Sequence, residues 1–459
     1  MPDGYSVPAP PTREDLTQWW NRFDDPVLQR LVAEAASQNL DVALAVTRLR
    51  QAREALTQAR ADFLPTLSGS AGYSRRQVLR GGTQQTQLPD GTIIQTGQGS
   101  TDNFSLGGDA SYQADLFGGI RRSVEASRAQ YEATGYDYAT VLLSVQSEIA
   151  RNYVLARAAQ AQIANARQSL TLQDDNLEIA GFRVQAGLVS SLDAEQARAQ
   201  RAQTAASIPN LEASYNSAVS RLGVLSGRPP GALKQTLATV APIPRGPDAV
   251  GVGIPAETLR QRPDIRSAER QLAAATAQIG VAQAQLYPAL RLSGGLTTAA
   301  GAIGGLGDII TGTLFGGLSQ LIFDGGRVRS QIRAQEAAAD GAFLNYRQTV
   351  LTSLEEVENA VVALRTAEAR QREFAIALDA ASNSAILARS QYRAGLTDFT
   401  TLNQTETQLL NARNSLTQAQ SDRATALVQL YLALGGGWDS GAVPDPATLA
   451  PTPPRQDTQ

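Results

Sequence analysis

"NFSLGGDASYQADL" occupies residues 103–116, and its side chains alternate in character without a break. Phe104, Leu106, Gly108, Ala110, Tyr112, Ala114 and Leu116 share one parity; Asn103, Ser105, Gly107, Asp109, Ser111, Gln113 and Asp115 share the other. Successive side chains on a pleated backbone point to opposite sides, so this period of two predicts a strand with one apolar and one polar face. Leu67, Gly69, Ala71 and Tyr73 alternate in the same way with Ser68, Ser70, Gly72 and Ser74. So do Leu290, Leu292, Gly294 and Leu296 with Arg291, Ser293, Gly295 and Thr297. A fourth strand is expected near 311–323, where the alternation is noisier and the facing stays open.

Working outward from these strands, the chain repeats itself. "ADFLPTLSGSAGYS" (61–74) echoes "AQLYPALRLSGGLT" (284–297), and "QADLFGGIRRS" (113–123) echoes "QLIFDGGRVRS" (320–330). "FRVQAGLVSSLDAEQARAQ" (182–200) echoes "QYRAGLTDFTTLNQTETQ" (391–408) in the same order. The organisation expected is an extended N-terminal segment over 1–25, a first repeat over 26–226, a Pro/Gly linker over 227–255, a second repeat over 256–434 and a C-terminal tail over 435–459. Each repeat has a helix ended by proline (Pro65 or Pro288), then a β-hairpin (about 66–117 or 289–323). A long helical hairpin completes it, with its tip at about 183–193 or 392–404. Pro209 is expected to kink the returning helix of the first repeat.

The long helices carry coiled-coil spacing. Val350, Leu354, Val357, Val361 and Leu364 are four and three residues apart in turn, the 3.5-residue mean of a left-handed supercoil. Leu402, Leu409, Leu416 and Leu430 hold a heptad that Arg423 interrupts, beside a small-residue seam of Thr405, Ala412, Ala419 and Ala426. A helix from about 120 to 185, or 327 to 393, would be on the order of 100 Å long.

Composition removes whole classes of function. With no histidine and no cysteine, Ser-His and Cys-His nucleophilic chemistry and the usual zinc and thiol redox sites are excluded. A net charge of -3 provides no basic field for nucleic acid. No apolar run reaches the ~18–20 residues of a transmembrane helix, and Met1 is followed by Pro2, Asp3 and Gly4 rather than a signal-like run. Carboxylate-only catalysis or a hard-cation site stays possible on composition. Every candidate acid or base, however, lies on a periodic helix face with no paired constellation beside it, so no cofactor or metal site is expected and the chain reads as a non-enzyme. A small soluble β domain could use the two hairpins. Four strands with one polar face and terminal aromatics (Tyr73, Phe104, Tyr112, Phe117) make a poor closed core, but a sensible fraction of a membrane barrel. Open sheet edges cannot face lipid, so such a barrel must close by oligomerisation. Three chains give twelve strands around an aqueous lumen, whereas two give eight, whose interior side chains tend to fill. The loop over about 78–102, with its "LPDGT" turn, suits the outward side of a barrel.

The whole pattern resembles the outer membrane factor family, the TolC-like channels, and within it the NodT-type branch serving resistance-nodulation-division efflux systems. The resemblance is carried by "RPDIRSAERQLAAATAQIGVAQAQLYP" (262–288), "DLFGG" (115–119), "FDGG" (323–326), "FRVQAGLVSSLD" (182–193), "YRAGLTDF" (392–399) and the early "DGYSVPAPP". It implies a mixed α/β membrane protein: a homotrimeric twelve-stranded transmembrane β-barrel continuous with a twelve-helix α-barrel, the linker forming an equatorial band. It also implies outer-membrane lipid around the barrel, a periplasmic adaptor (membrane fusion) protein, an inner-membrane resistance-nodulation-division pump, and lipid anchoring at a cysteine that this chain lacks. The implied function is a passive exit duct for drugs or other small molecules. A type I secretion channel for proteins and a soluble coiled-coil adaptor or scaffold are the competing readings.

In that family the helical tips close the tunnel. Arg183, Asp193, Glu195, Tyr392, Arg393, Asp398 and Gln404 are therefore the candidate aperture residues, threefold symmetry turning each carboxylate into a ring. Asp193 or Asp398 could equally serve only to start the returning helices. Gln391 and Gln404 stand where family members often carry an arginine and an aspartate, which implies a looser aperture held by neutral hydrogen bonds. Gly187, Leu188, Gly395 and Leu396 are candidate adaptor contacts: the glycines permit positive φ, and the leucines either anchor a partner or cap the helix ends.

Overall fold

The computed structural model describes residues 16–77, 100–253 and 259–439, together with 79, 84–87, 89, 91 and 93–96. The elements are α1 (Pro26–Gln38), α2 (Leu40–Ala61), β1 (Thr66–Arg76), β2 (Gln84–Gln87), β3 (Ile93–Thr96), β4 (Thr101–Ala114), α3 (Gly119–Gln185), α4 (Ser191–Leu225) and α5 (Lys234–Leu237). The second half adds α6 (Pro263–Ala284), β5 (Ala289–Ala300), β6 (Ile310–Ser319), α7 (Arg327–Arg393) and α8 (Phe399–Ala433). Helices α3 and α7 each run 67 residues, and α4 and α8 each run 35. The duplication is thus visible in lengths as well as in sequence. The compact units cut across it: one comprises 1–51, 132–270 and 343–459, the other 52–131 and 271–342. Each draws from both repeats.

The smaller unit holds the strands. Its sheet has the order β1-β4-β5-β6, every pair antiparallel, so β1 and β6 each keep one unpaired edge. The register decides the facing that alternation left open in the fourth strand. Leu314 pairs with Gly294, which pairs with Ala110, which pairs with Leu67. The row therefore puts Leu314 on the apolar face and Phe315 on the polar one. The apolar face has no cover in the chain itself, since Leu67 is 83% and Leu314 91% exposed. Two devices start the long helices here. Asp115 accepts from the backbone N–H groups of Ile120 (3.0 Å) and Arg121 (2.9 Å), and Asp324 accepts from those of Gly326 and Val328, both at 2.8 Å. Phe117 stacks on Tyr287 at 4.8 Å. Between β1 and β4, β2 pairs with β3 as a second small hairpin, where the sequence reading expects only a loop. The "LPDGT" turn falls mostly outside the described residues.

The larger unit is helical around an apolar core that includes Trp19, Phe23, Leu28, Ile149, Tyr153, Leu222, Val357, Leu427 and Tyr431. The coiled-coil seams are its substance: Val350, Val357, Val361, Leu364, Leu402, Leu409 and Leu430 are all buried. Residues 19–23 form a 3-10 turn rather than the extended segment expected over 1–25, because Trp19 stacks on Tyr431 at 5.3 Å and packs edge-on against Phe23. α4 continues as one helix through Pro209. The first helix of repeat one is divided at Asn39, whose side-chain oxygen accepts from the N–H groups of Asp41 and Val42 while its amide donates to the carbonyl of Leu225.

Two buried arginines fasten the 227–255 linker, of which 254–255 lie outside the described residues. Arg157 donates to the Thr239 carbonyl at 2.7 Å, while Gln160 donates to that of Leu237 at 2.6 Å. Arg423 donates to the carbonyls of Arg245 and Pro247 and to Asp248. The residue that breaks the leucine heptad is therefore the one that straps the linker down. A third arginine explains "RPDI": Arg262 binds Asp264 through two nitrogens, Glu356 at 2.6 Å and the Ala433 carbonyl at 2.8 Å, tying the start of α6 to α7 and α8. Burial alone would lower its pKa, but these two carboxylates outweigh it and the net shift is upward. Among the described residues, no helix is long and apolar enough to cross a membrane.

Candidate functional site

The two tips are built alike. α3 ends with the Leu188 N–H reaching the Arg183 carbonyl (2.9 Å) and the Gly187 N–H reaching that of Val184 (2.9 Å). α7 ends with Leu396 reaching Gln391 (2.8 Å) and Gly395 reaching Tyr392 (3.0 Å). Both are Schellman closures, which require a left-handed residue. Gly187 and Gly395 supply it with φ of 68° and 75°. The returning helices are capped in matching places: Ser190 Oγ accepts from the Leu192 N–H at 3.2 Å, and Asp398 Oδ1 from that of Thr401 at 2.8 Å. That bond holds the Asp398 carboxyl below the usual carboxylate range. The glycines close the ends without the leucines, which stay 70% (Leu188) and 79% (Leu396) exposed.

Between the tips lies a small core of Ala180, Ala197, Ala388, Tyr392, Phe399 and Leu402. Tyr392, 1% exposed, meets Phe399 edge-on at 5.9 Å. Arg183 crosses from the first tip to the second. Its guanidinium sits 4.7 Å from the centre of the Tyr392 ring, and it donates to the Tyr392 carbonyl at 3.1 Å. Burial pushes the Tyr392 hydroxyl up in pKa; Arg183 opposes that and Asp193 adds to it. The hydroxyl is buried with no hydrogen-bond partner among the described residues. The structure thus brings together Arg183 and Tyr392, with Asp193 within electrostatic reach. It leaves Arg393 and Gln404 exposed. Glu195 pairs only loosely with Arg198, at 3.8 Å on the surface.

One charged group was not legible as a site residue. Glu406, 6% exposed, is held by Arg389 at 2.9 Å and by the Asn176 amide at 2.8 Å, joining α3, α7 and α8 just behind the tip core. The residues give it little signal: it flanks the seam of Leu402, Thr405 and Leu409, where charged side chains are common, and its burial is what sets it apart. A carboxylate buried there requires partners from other helices, and one sequence does not identify them. Among the described residues, no group of acidic side chains is arranged to hold a metal ion.

Comparison with known proteins places this geometry. The sequence profile described as outer membrane efflux protein matches residues 31–228 and again 254–436. The chain is 31% identical over 455 residues to Nodulation protein T of Rhizobium leguminosarum bv. trifolii, covering 96% of this chain and 92% of that protein. It is 33% identical to the pyoverdine export outer membrane protein OpmQ of Pseudomonas aeruginosa, covering 93% of this chain and 88% of that one. Among solved structures, the outer-membrane channel OprN superposes with a TM-score of 0.84 at 33% identity, covering 95% of this chain and 97% of that one. The double match repeats the internal duplication, and the chain belongs to the outer membrane efflux protein family.

Proposed function

We propose that three copies of this chain close their sheets into one twelve-stranded barrel in the outer membrane and their long helices into a periplasmic tunnel. The assembly is the exit duct of an efflux pump, and its chemistry is conduction rather than catalysis. The observation that carries this reading is the sheet: an uncovered apolar face and two unpaired edges, at β1 and β6. Lipid can cover the face, but it cannot satisfy an edge, so copies must pair β6 with β1 of the next chain. Membership in the efflux family supplies the partners: a periplasmic adaptor and an inner-membrane pump, which we take to be of the resistance-nodulation-division type. Lipid anchoring through an upstream cysteine belongs to the same reading.

The tips are the proposed aperture. Arg183 and Tyr392 lock the first tip to the second within a chain, with Asp193 beside them. Asp398 serves by starting α8. Leu188 and Leu396, exposed on closures that do not need them, are the proposed apolar anchors for the adaptor. Light scattering of the detergent-purified protein tests the assembly. We expect the mass of three 48.6 kDa chains, and a monomer would contradict it. Because the chain has no cysteine, single Leu188→Cys and Leu396→Cys variants report adaptor contact by crosslinking to the adaptor co-expressed with it.

A further inference from the structure

The strand register fixes which side chains share the polar face, row by row. One row is Ser68, Asp109, Gly295 and Thr313; the next is Thr66, Ser111, Ser293 and Phe315; the next is Gln113, Arg291 and Gly317. The remaining rows carry serine, threonine, asparagine, glycine and alanine, with Arg76 at the far end of β1. Among the described strand residues, Asp109 and Arg291 are thus the ionisable side chains within the span of this face. Glycines shape the surface around them. A Cβ at Gly295 would lie 2.7 Å from Asp109 Oδ1 and 3.3 Å from Thr313 Oγ1, so the carboxylate lies across β5 beside a hydroxyl. A Cβ at Gly317 would lie 2.6 Å from the Phe315 ring, so that ring lies along β6 over the residue that pairs with Arg291. Both charged side chains are exposed.

We infer that Asp109 and Arg291 set the charge selectivity of the barrel, as a carboxylate level and a guanidinium level separated by the row of Phe315. The inference rests on the duct reading above, in which threefold closure repeats each residue into a ring around an aqueous lumen. A ring of like charges favours counter-ions and opposes co-ions. The two levels are four residues apart along β5, about 13 Å at the rise of a strand. With strands tilted by about 40° to the barrel axis, the levels are about 10 Å apart along the pore. That is comparable with the Debye length of about 8–10 Å at 0.1–0.15 M salt, so each ring is only partly offset by the other. The barrel therefore holds two opposed filters in series. Removing either leaves the other uncompensated.

The test is the reversal potential of the purified trimer in a planar bilayer under a KCl gradient. It is read both on the wild type and with the tips loosened by Arg183→Ala, so that the barrel and not the aperture limits the ion flow. Asp109→Asn is expected to shift the potassium-to-chloride permeability ratio toward chloride, and Arg291→Gln toward potassium, each by roughly threefold at low salt. Asp109→Glu should keep the wild-type ratio, and both shifts should shrink in 1 M salt, where the Debye length falls to about 3 Å. Should Asp109→Asn fail to assemble, Arg291→Gln decides by its sign. Conducting variants with wild-type ratios, or shifts in the same direction, overturn the inference. A wild-type protein that forms no pore overturns the duct reading itself, an outcome distinguishable at once from a conducting channel of unchanged selectivity.

Discussion

The first tip and the second share one backbone solution and differ in what they bury. An offset of 208 residues aligns Gly187 with Gly395, Leu188 with Leu396 and the cap Ser190 with the cap Asp398. The same offset sets Val184 against Tyr392, Ser191 against Phe399, Ala194 against Leu402 and Arg198 against Glu406. Duplication preserved the turn, and divergence gave the aromatic core and the buried carboxylate to the second copy. The first tip contributes small residues to that core and sends Arg183 across to it. The second tip is thus the anchor, and the first is the element held against it. Opening should begin by losing what Arg183 holds.

Substitutions that erase this asymmetry should have unequal effects. Tyr392→Ala removes the largest side chain of the tip core and should cost about 3–5 kcal/mol locally, while Val184→Ala at the matching place should cost far less. Hydrogen exchange across 177–193 and 388–403 would compare the two. Arg183→Ala forfeits a cation–π contact and a hydrogen bond to a carbonyl, together about 1–3 kcal/mol. Arg183→Lys should restore little of this, because an ammonium lacks the planar fork that bonds the carbonyl while lying over a ring. Proteolysis confined to the first tip would report either loss. Gly187→Ala and Gly395→Ala should each cost about 1 kcal/mol, alike in the two tips, since both force an L-residue into the left-handed region.

The smallest contrast is in pH. Asp398 has a folded pKa below its unfolded value. Its cap therefore stabilises α8 above the unfolded carboxylate pKa of about 3.9 and is lost as pH falls below it through the folded value. Ser190 does not titrate. An Asp193→Asn background removes the carboxylate in the first turn of α4. In it, amide exchange at the start of α8 should thus accelerate as pH drops below about 4 beyond its intrinsic pH dependence, while the start of α4 shows no such excess. Equal behaviour at the two helix starts would remove the distinction.

Much of this was legible in the residues. Alternation located the strands, and the Ala-Gly-Leu steps at 186–188 and 394–396 located both closures. A period of two cannot say which residues pair, so the facing of Leu314 and Phe315 waited for the register. Arg423 stood out as a break in a leucine heptad, yet its partners at 245–248 lie far away in sequence in a segment without periodicity. Distance in sequence likewise hid the bond from Asn176 to Glu406 and the stack of Trp19 on Tyr431. Of the candidate aperture residues, charge alone could not separate Asp398, which caps a helix, from Arg183, which joins two tips. Three-dimensional contact makes that distinction.

On the proposed reading, the contact of Arg183 with Tyr392 holds the duct shut. Single-channel recording of the detergent-purified trimer in a planar bilayer, wild type beside Arg183→Ala and Tyr392→Ala, tests it most directly. The wild type should show a small conductance and both variants a several-fold larger one, with Tyr392→Ala the larger. A wild type that forms no pore, or variants that conduct no better than it does, would contradict closure by this contact.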